Sequence, residues 1–220
     1  MPLLKKIVRN KTCIAGVWNI TETEETLRSI LKKSNPGQRI VDSFKNEIRR
    51  KQWMACRILL SSLLHNRDAM IIYNEFGKPF IKDSPYHISV SHSGNLAAIA
   101  ISHTHLVGID IEKIKDRVER VADRFLSDAE LKSIGDENRL EKLYICWGAK
   151  ESLYKIAGTP EVEFKKDIII HRFDYLCNPL QTCQSSMTVS GHTKDYTLHY
   201  EKILDYMLVY AYDTNPEATL

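Results

Sequence analysis

Gly108-Ile109-Asp110-Ile111-Glu112 is the stretch on which the reading of this chain turns. Strand alternation puts Asp110 and Glu112 on one face and Ile109 and Ile111 on the other. A strand over 106–112 is apolar enough to be central in a sheet. Two neighbouring carboxylates there repel each other and lose hydration unless a cation neutralises them. Mg2+ suits that arrangement, because it takes carboxylate oxygens, keeps water and accepts phosphate oxygens. Asp-x-Glu also occurs on plain exposed strand edges, so the pair needs company to carry a metal reading.

That company comes downstream, in Trp147-Gly148-Ala149-Lys150-Glu151-Ser152-Leu153-Tyr154-Lys155. The spacing predicts a helix over 136–156, stopped by Ala157-Gly158-Thr159-Pro160. Trp147, Glu151, Tyr154 and Lys155 then share neighbouring turns of one face, with Lys150 beside it. On a plain surface helix, Glu151 and Lys155 would form an ordinary pair worth about 0.3–0.5 kcal/mol, with the aromatics as its buried side. Upstream, Ser91-His92-Ser93-Gly94 ends a strand in a tight turn. A hydroxyl and an imidazole there can donate to phosphate oxygens, and Gly94 lets the backbone approach closely. An ordinary β-turn has the same composition. No Gly-x-Ser-x-Gly elbow supports a serine hydrolase. Together the three segments describe a divalent cation held against a pyrophosphate.

Working outward, 13–19 reads as a strand and 22–33 as a helix, with Thr21 as N-cap and Glu24 completing a capping box. Asn35-Pro36-Gly37 breaks it, and a helical pattern runs over 38–65. Strands follow at 69–73 and 79–81, joined by a turn at Phe76-Gly77-Lys78-Pro79, then at 87–91 and 96–103. Beyond the acidic strand, helices are expected over 117–125 and 127–134, the second with a Ser127/Glu130 capping box. Strands are expected over 167–173, 187–190, 196–202 and 206–212, with a polar, frayed end from 213. This is an α+β pattern in two halves, 1–104 and 105–220.

No apolar run approaches the ~20 residues of a membrane span, and the amino terminus lacks a secretory signal. The five cysteines, Cys13, Cys56, Cys146, Cys177 and Cys183, include no C-x-x-C pair. They read as buried free thiols of a cytoplasmic protein, with no membrane association. The first 105 residues carry 16 Lys and Arg against 8 Asp and Glu, and the rest carry 15 against 20. A basic half beside an acidic one can hold a polyanionic ligand. Nucleic acid is not expected, since no zinc-finger or RNP-like motif accompanies the basic charge.

In order and spacing, Gly-Ile-Asp-Ile-Glu followed by Trp-x-x-Lys-Glu-Ser-x-x-Lys resembles the signature of the Sfp-type 4′-phosphopantetheinyl transferases, in the holo-acyl-carrier-protein synthase superfamily. The resemblance runs from about Arg50 to Lys155. It implies two similar α+β halves related by a pseudo-twofold, with the active site at their interface. The first half would be the coenzyme A side and the second the metal and catalytic side. The implied reaction moves phosphopantetheine from coenzyme A to a serine of an apo acyl or peptidyl carrier protein. It depends on Mg2+ and releases adenosine 3′,5′-bisphosphate.

By position, Asp110, Glu112 and Glu151 resemble the metal ligands, and Glu151 also the general base. Lys155 and His92 resemble the pyrophosphate-binding catalytic groups, with Lys150 in the same cluster. Ser91 and the Gly77-Lys78-Pro79 turn resemble the adenosine end of the coenzyme A site. Arg50, with Arg49 adjacent, resembles the 3′-phosphate arginine, and Lys32 and Lys33 are candidates for further lysines. Ser89 and Gly148 depart from the pattern, where Asn and Ser or Thr are usual. The two-half length implies a monomer. Ile114, Val118, Val121 and Phe125, at helical spacing, are either a docking face for the carrier or core. A pyrophosphatase and a binding-only relative are the rival readings.

Overall fold

In the computed structural model the chain divides into two compact units, Met1–Thr104 and His105–Leu220. Residues 2–9, 12–31, 38–176 and 180–213 are described, without the side chains of 38 and 39. The expectations for the turn at 35–37, Lys32, Lys33, Cys177 and 214–220 fall outside them. No described helix is long and apolar enough to cross a membrane.

The first unit begins with strands β1 (Leu3–Val8) and β2 (Cys13–Asn19), then helices α1 (Glu24–Leu31), α2 (Gln38–Ser43) and α3 (Glu47–Leu64). A small hairpin of β3 (Ile71–Tyr73) and β4 (Pro79–Ile81) precedes β5 (His87–Ser93) and β6 (Leu96–Ser102). The sheet order is β1-β2-β6-β5, antiparallel throughout. Helix α3 packs on β2 and β6, where Gly16 leaves room for Leu59 and Leu63. The continuous helix expected over 38–65 is broken before α3. Asn46 caps α3, its Oδ1 accepting from Ile48 N at 2.8 Å, and the left-handed His65 (φ 51°) ends it.

At α1 the expected cap is replaced. Thr23, not Thr21, accepts from the helix, through Thr26 N at 3.2 Å. Glu24 does not reach back to a cap. Its carboxylate is taken by Arg28 at 2.8 Å and Arg50 at 2.8 Å, because two guanidiniums outbid one exposed amide.

The second unit opens with β7 (Val107–Lys113) and a 3-10 helix (Asp116–Val121), followed by α4 (Ala122–Phe125), α5 (Asp128–Ile134), α6 (Arg139–Ala157) and α7 (Phe164–Asp167). Strands β8 (Ile168–Ile170), β9 (Gln181–Val189), β10 (His192–Ile203) and β11 (Tyr206–Tyr212) complete it. The sheet order is β7-β11-β10-β9-β8. β7 therefore stands at one end of its sheet, not in the middle. Its apolar run reflects burial of Val107 to Ile111 rather than strand neighbours on both sides. The helix expected over 117–125 is a 3-10 turn followed by one α-turn. The Ser127/Glu130 capping box forms as read.

Helix α6 lies on β7 and β11 and is buried nearly all round. Its carboxyl end is closed by the left-handed Gly158, whose N–H donates to Tyr154 O at 3.0 Å. One glycine sets how closely helix and sheet approach. A Cβ at Gly108 would sit 1.9 Å from the Ser152 carbonyl oxygen, so no side chain is possible there. Across the same contact, Ser152 Oγ donates to Val209 O of β11 at 3.1 Å.

Candidate active site

The Gly108–Ser152 contact decides what Asp110 meets. Two residues along β7 from Gly108, Asp110 points to the same side, towards α6, and is 3% exposed. Lys155, one turn beyond Ser152, reaches back to it. Its Nζ donates to Asp110 Oδ1 at 2.9 Å and to Ile109 O at 2.8 Å. Glu112 follows two residues on, on the same face and half-buried.

Glu151, on α6 between these groups, feels them directly. Burial pushes its carboxyl above the usual range, with the charges of Asp110 and Glu112 adding to the rise and Lys155 opposing it. Three carboxylates thus share one field with a single ammonium. Among the described residues, no three His, Cys, Asp or Glu side chains converge closely enough to hold a metal as they stand. The donor set nevertheless fits Mg2+, since all three groups are hard oxygen donors with a surplus of negative charge. The Lys155 ammonium stands on Asp110 as the local counter-charge.

Gly148 explains itself in the same frame. A Cβ there would come 2.7 Å from Val209 Cγ2 and 3.6 Å from Asp110 Oδ2. Val209 is the β11 partner of Asp110, so glycine on the helix is matched by a branched residue on the strand. Ser89, the other departure, is buried in β5.

Lys150 is corrected by the structure. It is not on the carboxylate face at all, being 0% exposed. Its ammonium meets Glu130 Oε1 at 2.9 Å and donates to Phe164 O at 2.7 Å and to Ile168 O. With its donors used inside the core, it has no proton to offer a phosphate. Phe125 is likewise core. It is 2% exposed and packs edge-to-face on Trp147 at 5.0 Å, which removes it from any docking face, and Val118 is buried with it.

Beside Glu112 lies a cleft of about 410 Å3 lined by Arg117, Arg120, Val121, Tyr144 and Trp147 among others. Sequence reading passed over Arg117 and Arg120, although their i, i+3 spacing was there to be seen. A second cleft of about 410 Å3, lined by residues of α1 and α3 such as Ser29, Ser61 and Ser62, holds none of the predicted residues.

The remaining candidates belong to the first unit. Arg49 lies against the His92 ring, with Nη1 3.2 Å from Nδ1 and closer to Nε2. A guanidinium only donates, so the ring nitrogen it meets accepts. Gln52 pins the hairpin that presents Ser91 and His92, its Nε2 donating to Gly94 O at 2.9 Å. Arg50, the residue first favoured for a phosphate, is spent on Glu24 and on Phe44 O at 2.8 Å. Arg49 is the arginine beside His92. Lys78 follows a turn built on Asn74, whose Oδ1 accepts from Phe76 N at 3.0 Å and Lys78 N at 2.8 Å, and Pro79 starts β4. Burial lowers the Lys78 ammonium from its usual value.

The sequence profile of the 4′-phosphopantetheinyl transferase superfamily matches residues 106–205, the span holding β7, α6 and most of their sheet. The chain is 36% identical over 119 residues to the 4′-phosphopantetheinyl transferase AcpT of Escherichia coli O157:H7, covering 50% of this chain and 59% of that protein. It is 35% identical over 96 residues to the transferase gsp of Aneurinibacillus migulanus, covering 42% of this chain and 40% of that protein. It is 35% identical over 99 residues to the transferase Sfp of Bacillus subtilis (strain 168), covering 43% and 44% of the two chains. The matches thus span about half the length of these relatives.

Proposed function

We propose that this chain is a 4′-phosphopantetheinyl transferase, moving phosphopantetheine from coenzyme A to a serine of an apo acyl or peptidyl carrier protein. The observation that carries the reading is the excess of carboxylate over ammonium at Asp110, Glu112, Glu151 and Lys155 on the α6 side of β7. The superfamily match over the same residues supports it.

In this reading Asp110, Glu112 and Glu151 hold Mg2+. Bound there, Mg2+ would supply positive charge for the diphosphate and the departing adenosine 3′,5′-bisphosphate. Lys155 releases Asp110 and turns to the diphosphate, an ammonium exchanging one anion for another. Glu151, its basicity raised by burial and by its neighbours, accepts the proton of the carrier serine. The serine oxygen then bonds to the phosphorus bearing pantetheine, the diphosphate P–O bond breaks, and the electron pair leaves with the bisphosphate. His92 and Arg49 take up phosphate charge, and Ser91 and the Lys78-Pro79 turn hold the adenosine end. The cleft beside Glu112, apolar along Val121 and Trp147 and basic at Arg117 and Arg120, accepts part of the substrates.

The reading includes a cytoplasmic monomer, with coenzyme A as co-substrate and no membrane or nucleic-acid partner. The four buried free thiols among the described residues are consistent with a reducing compartment. Burial pushes the Cys56 and Cys183 thiols up to about 12, so they act as small apolar groups.

The test is to incubate the chain with coenzyme A, Mg2+ and an apo carrier protein and to weigh the carrier. A gain of one phosphopantetheine supports the transferase. Cleaved coenzyme A with an unchanged carrier would make it a pyrophosphatase, and binding without either would make it a carrier- or coenzyme-binding module.

A further inference from the structure

We propose that Glu130 and Lys150 are a positioning pair that holds Glu151 against the Asp110–Glu112 strand, an inference that rests on reading that face as a cation and phosphate site. The pair is closed. Lys150 spends its ammonium on the Glu130 carboxylate and on the carbonyls of Phe164 and Ile168. Glu130 in turn accepts from Ser127 N at 2.8 Å through Oε2 and from Ile170 N at 2.9 Å through Oε1. One positive and one negative charge, both buried, thus tie the start of α5, the middle of α6, the short α7 and strand β8 to one point.

A buried ion pair is a weak stabiliser beside well-packed apolar residues, because desolvation offsets most of its attraction. Its effect on geometry is a different matter. Glu151 follows Lys150 directly in α6, and its carboxylate is attracted by Lys155 and repelled by Asp110 and Glu112, so its position on the helix decides which of them it meets. Since α6 is packed nearly all round, the backbone that carries Glu151 moves relative to β7 only by rotation or sliding of the helix. Either motion would pull Lys150 off Glu130 and off two carbonyls. The Gly108–Ser152 contact sets the distance between helix and strand, and the Glu130–Lys150 pair sets the helix rotation.

Two variants test this. The double variant Glu130→Leu/Lys150→Met removes both charges and leaves no unpaired ion in the core, so it is expected to fold. Glu130→Gln keeps the side-chain volume and one acceptor, and serves where the double variant does not. Mn2+ binding is followed by electron paramagnetic resonance, alongside kcat and KM for coenzyme A and the melting temperature. The expected result is Mn2+ affinity and kcat each reduced about 10–100-fold in folded protein, as for groups that orient metal ligands, with KM for coenzyme A changed far less. A folded variant with wild-type Mn2+ affinity would overturn the positioning role. Asp110→Ala separates this from failure of the site itself. If Asp110→Ala also leaves Mn2+ affinity unchanged, the cation site is wrong and the proposal falls with it. If Asp110→Ala abolishes binding and the pair variants do not weaken it, the positioning role alone is wrong.

Discussion

The two sides of α6 hold charge in opposite ways. Towards α5 and β8, Lys150 and Glu130 balance each other, fully buried, with their hydrogen-bonding capacity used up. Towards β7, Asp110, Glu112 and Glu151 outnumber Lys155, and that face stays partly open, with the Lys155 side chain 24% exposed. A balanced, closed pair is a structural device. On the proposed reading, an unbalanced, open cluster stores repulsion that a bound cation would relieve. Two lysines five residues apart on one helix therefore have different work, and exposure and partners distinguish them where residue type does not.

The largest expected effect breaks the open side. Glu151→Gln should lower transfer by about 10²–10⁴-fold, the usual loss for a positioned general base. Carrier modification followed by mass spectrometry checks it. Near-normal turnover would remove Glu151 from the chemistry.

On the closed side, Lys150→Met leaves the Glu130 carboxylate buried without its counter-charge. A loss of about 3–5 kcal/mol is expected in urea unfolding. A loss near zero would show that the pair is not closed in solution.

The seam between the sides gives a smaller effect. Gly148→Ala brings a Cβ within 2.7 Å of Val209 and should cost about 1–3 kcal/mol. Val209→Ala in the same chain should recover part of that cost, and additive losses would contradict the matched pair.

The smallest effect is a contrast in acid. Burial alone would raise the Glu24 carboxyl, but hydrogen bonds from Arg28 and Arg50 outweigh it and hold it below its ordinary 4.5. A lowered carboxyl stabilises the fold above its unfolded value, and that contribution is lost as pH falls through the folded one. Glu151 is raised and has the opposite sign, so protonating it on acidification stabilises the fold. Glu24→Gln should therefore flatten the acid side of the stability curve. Glu151→Gln should raise stability mainly at neutral pH.

Much of the second unit could be read from sequence, because its signals were local. Strand β11, the Ser127/Glu130 box and the Gly158 stop each depend on a few adjacent residues. The pairing of Asp110 with Glu112 on one face needed only strand alternation. What could not be read was which way Lys150 points, since both lysines flank Glu151. The answer depends on α6 being packed on most of its circumference, a property of its neighbours. Arg49 and Arg50 posed the same problem on α3. Glu24, far away in sequence, claims Arg50 and leaves Arg49 to His92. Strand β1 escaped because Lys5 and Lys6 interrupt its apolar pattern, as lysines commonly do in an edge strand. Thr21 lost its capping role because the helix starts only at Glu24, where Thr23 accepts from Thr26 N and the Glu24 carboxylate is held by Arg28 and Arg50.

Thermal unfolding of the wild-type chain and of Glu151→Gln, each with and without Mg2+, tests most directly whether the open side awaits a cation. Without Mg2+, the variant should melt a few degrees higher, since one of three repelling carboxylates is gone. With Mg2+, the wild type should gain stability and the variant should gain little. A wild-type melting temperature unmoved by Mg2+, together with a variant that melts lower, would contradict the account.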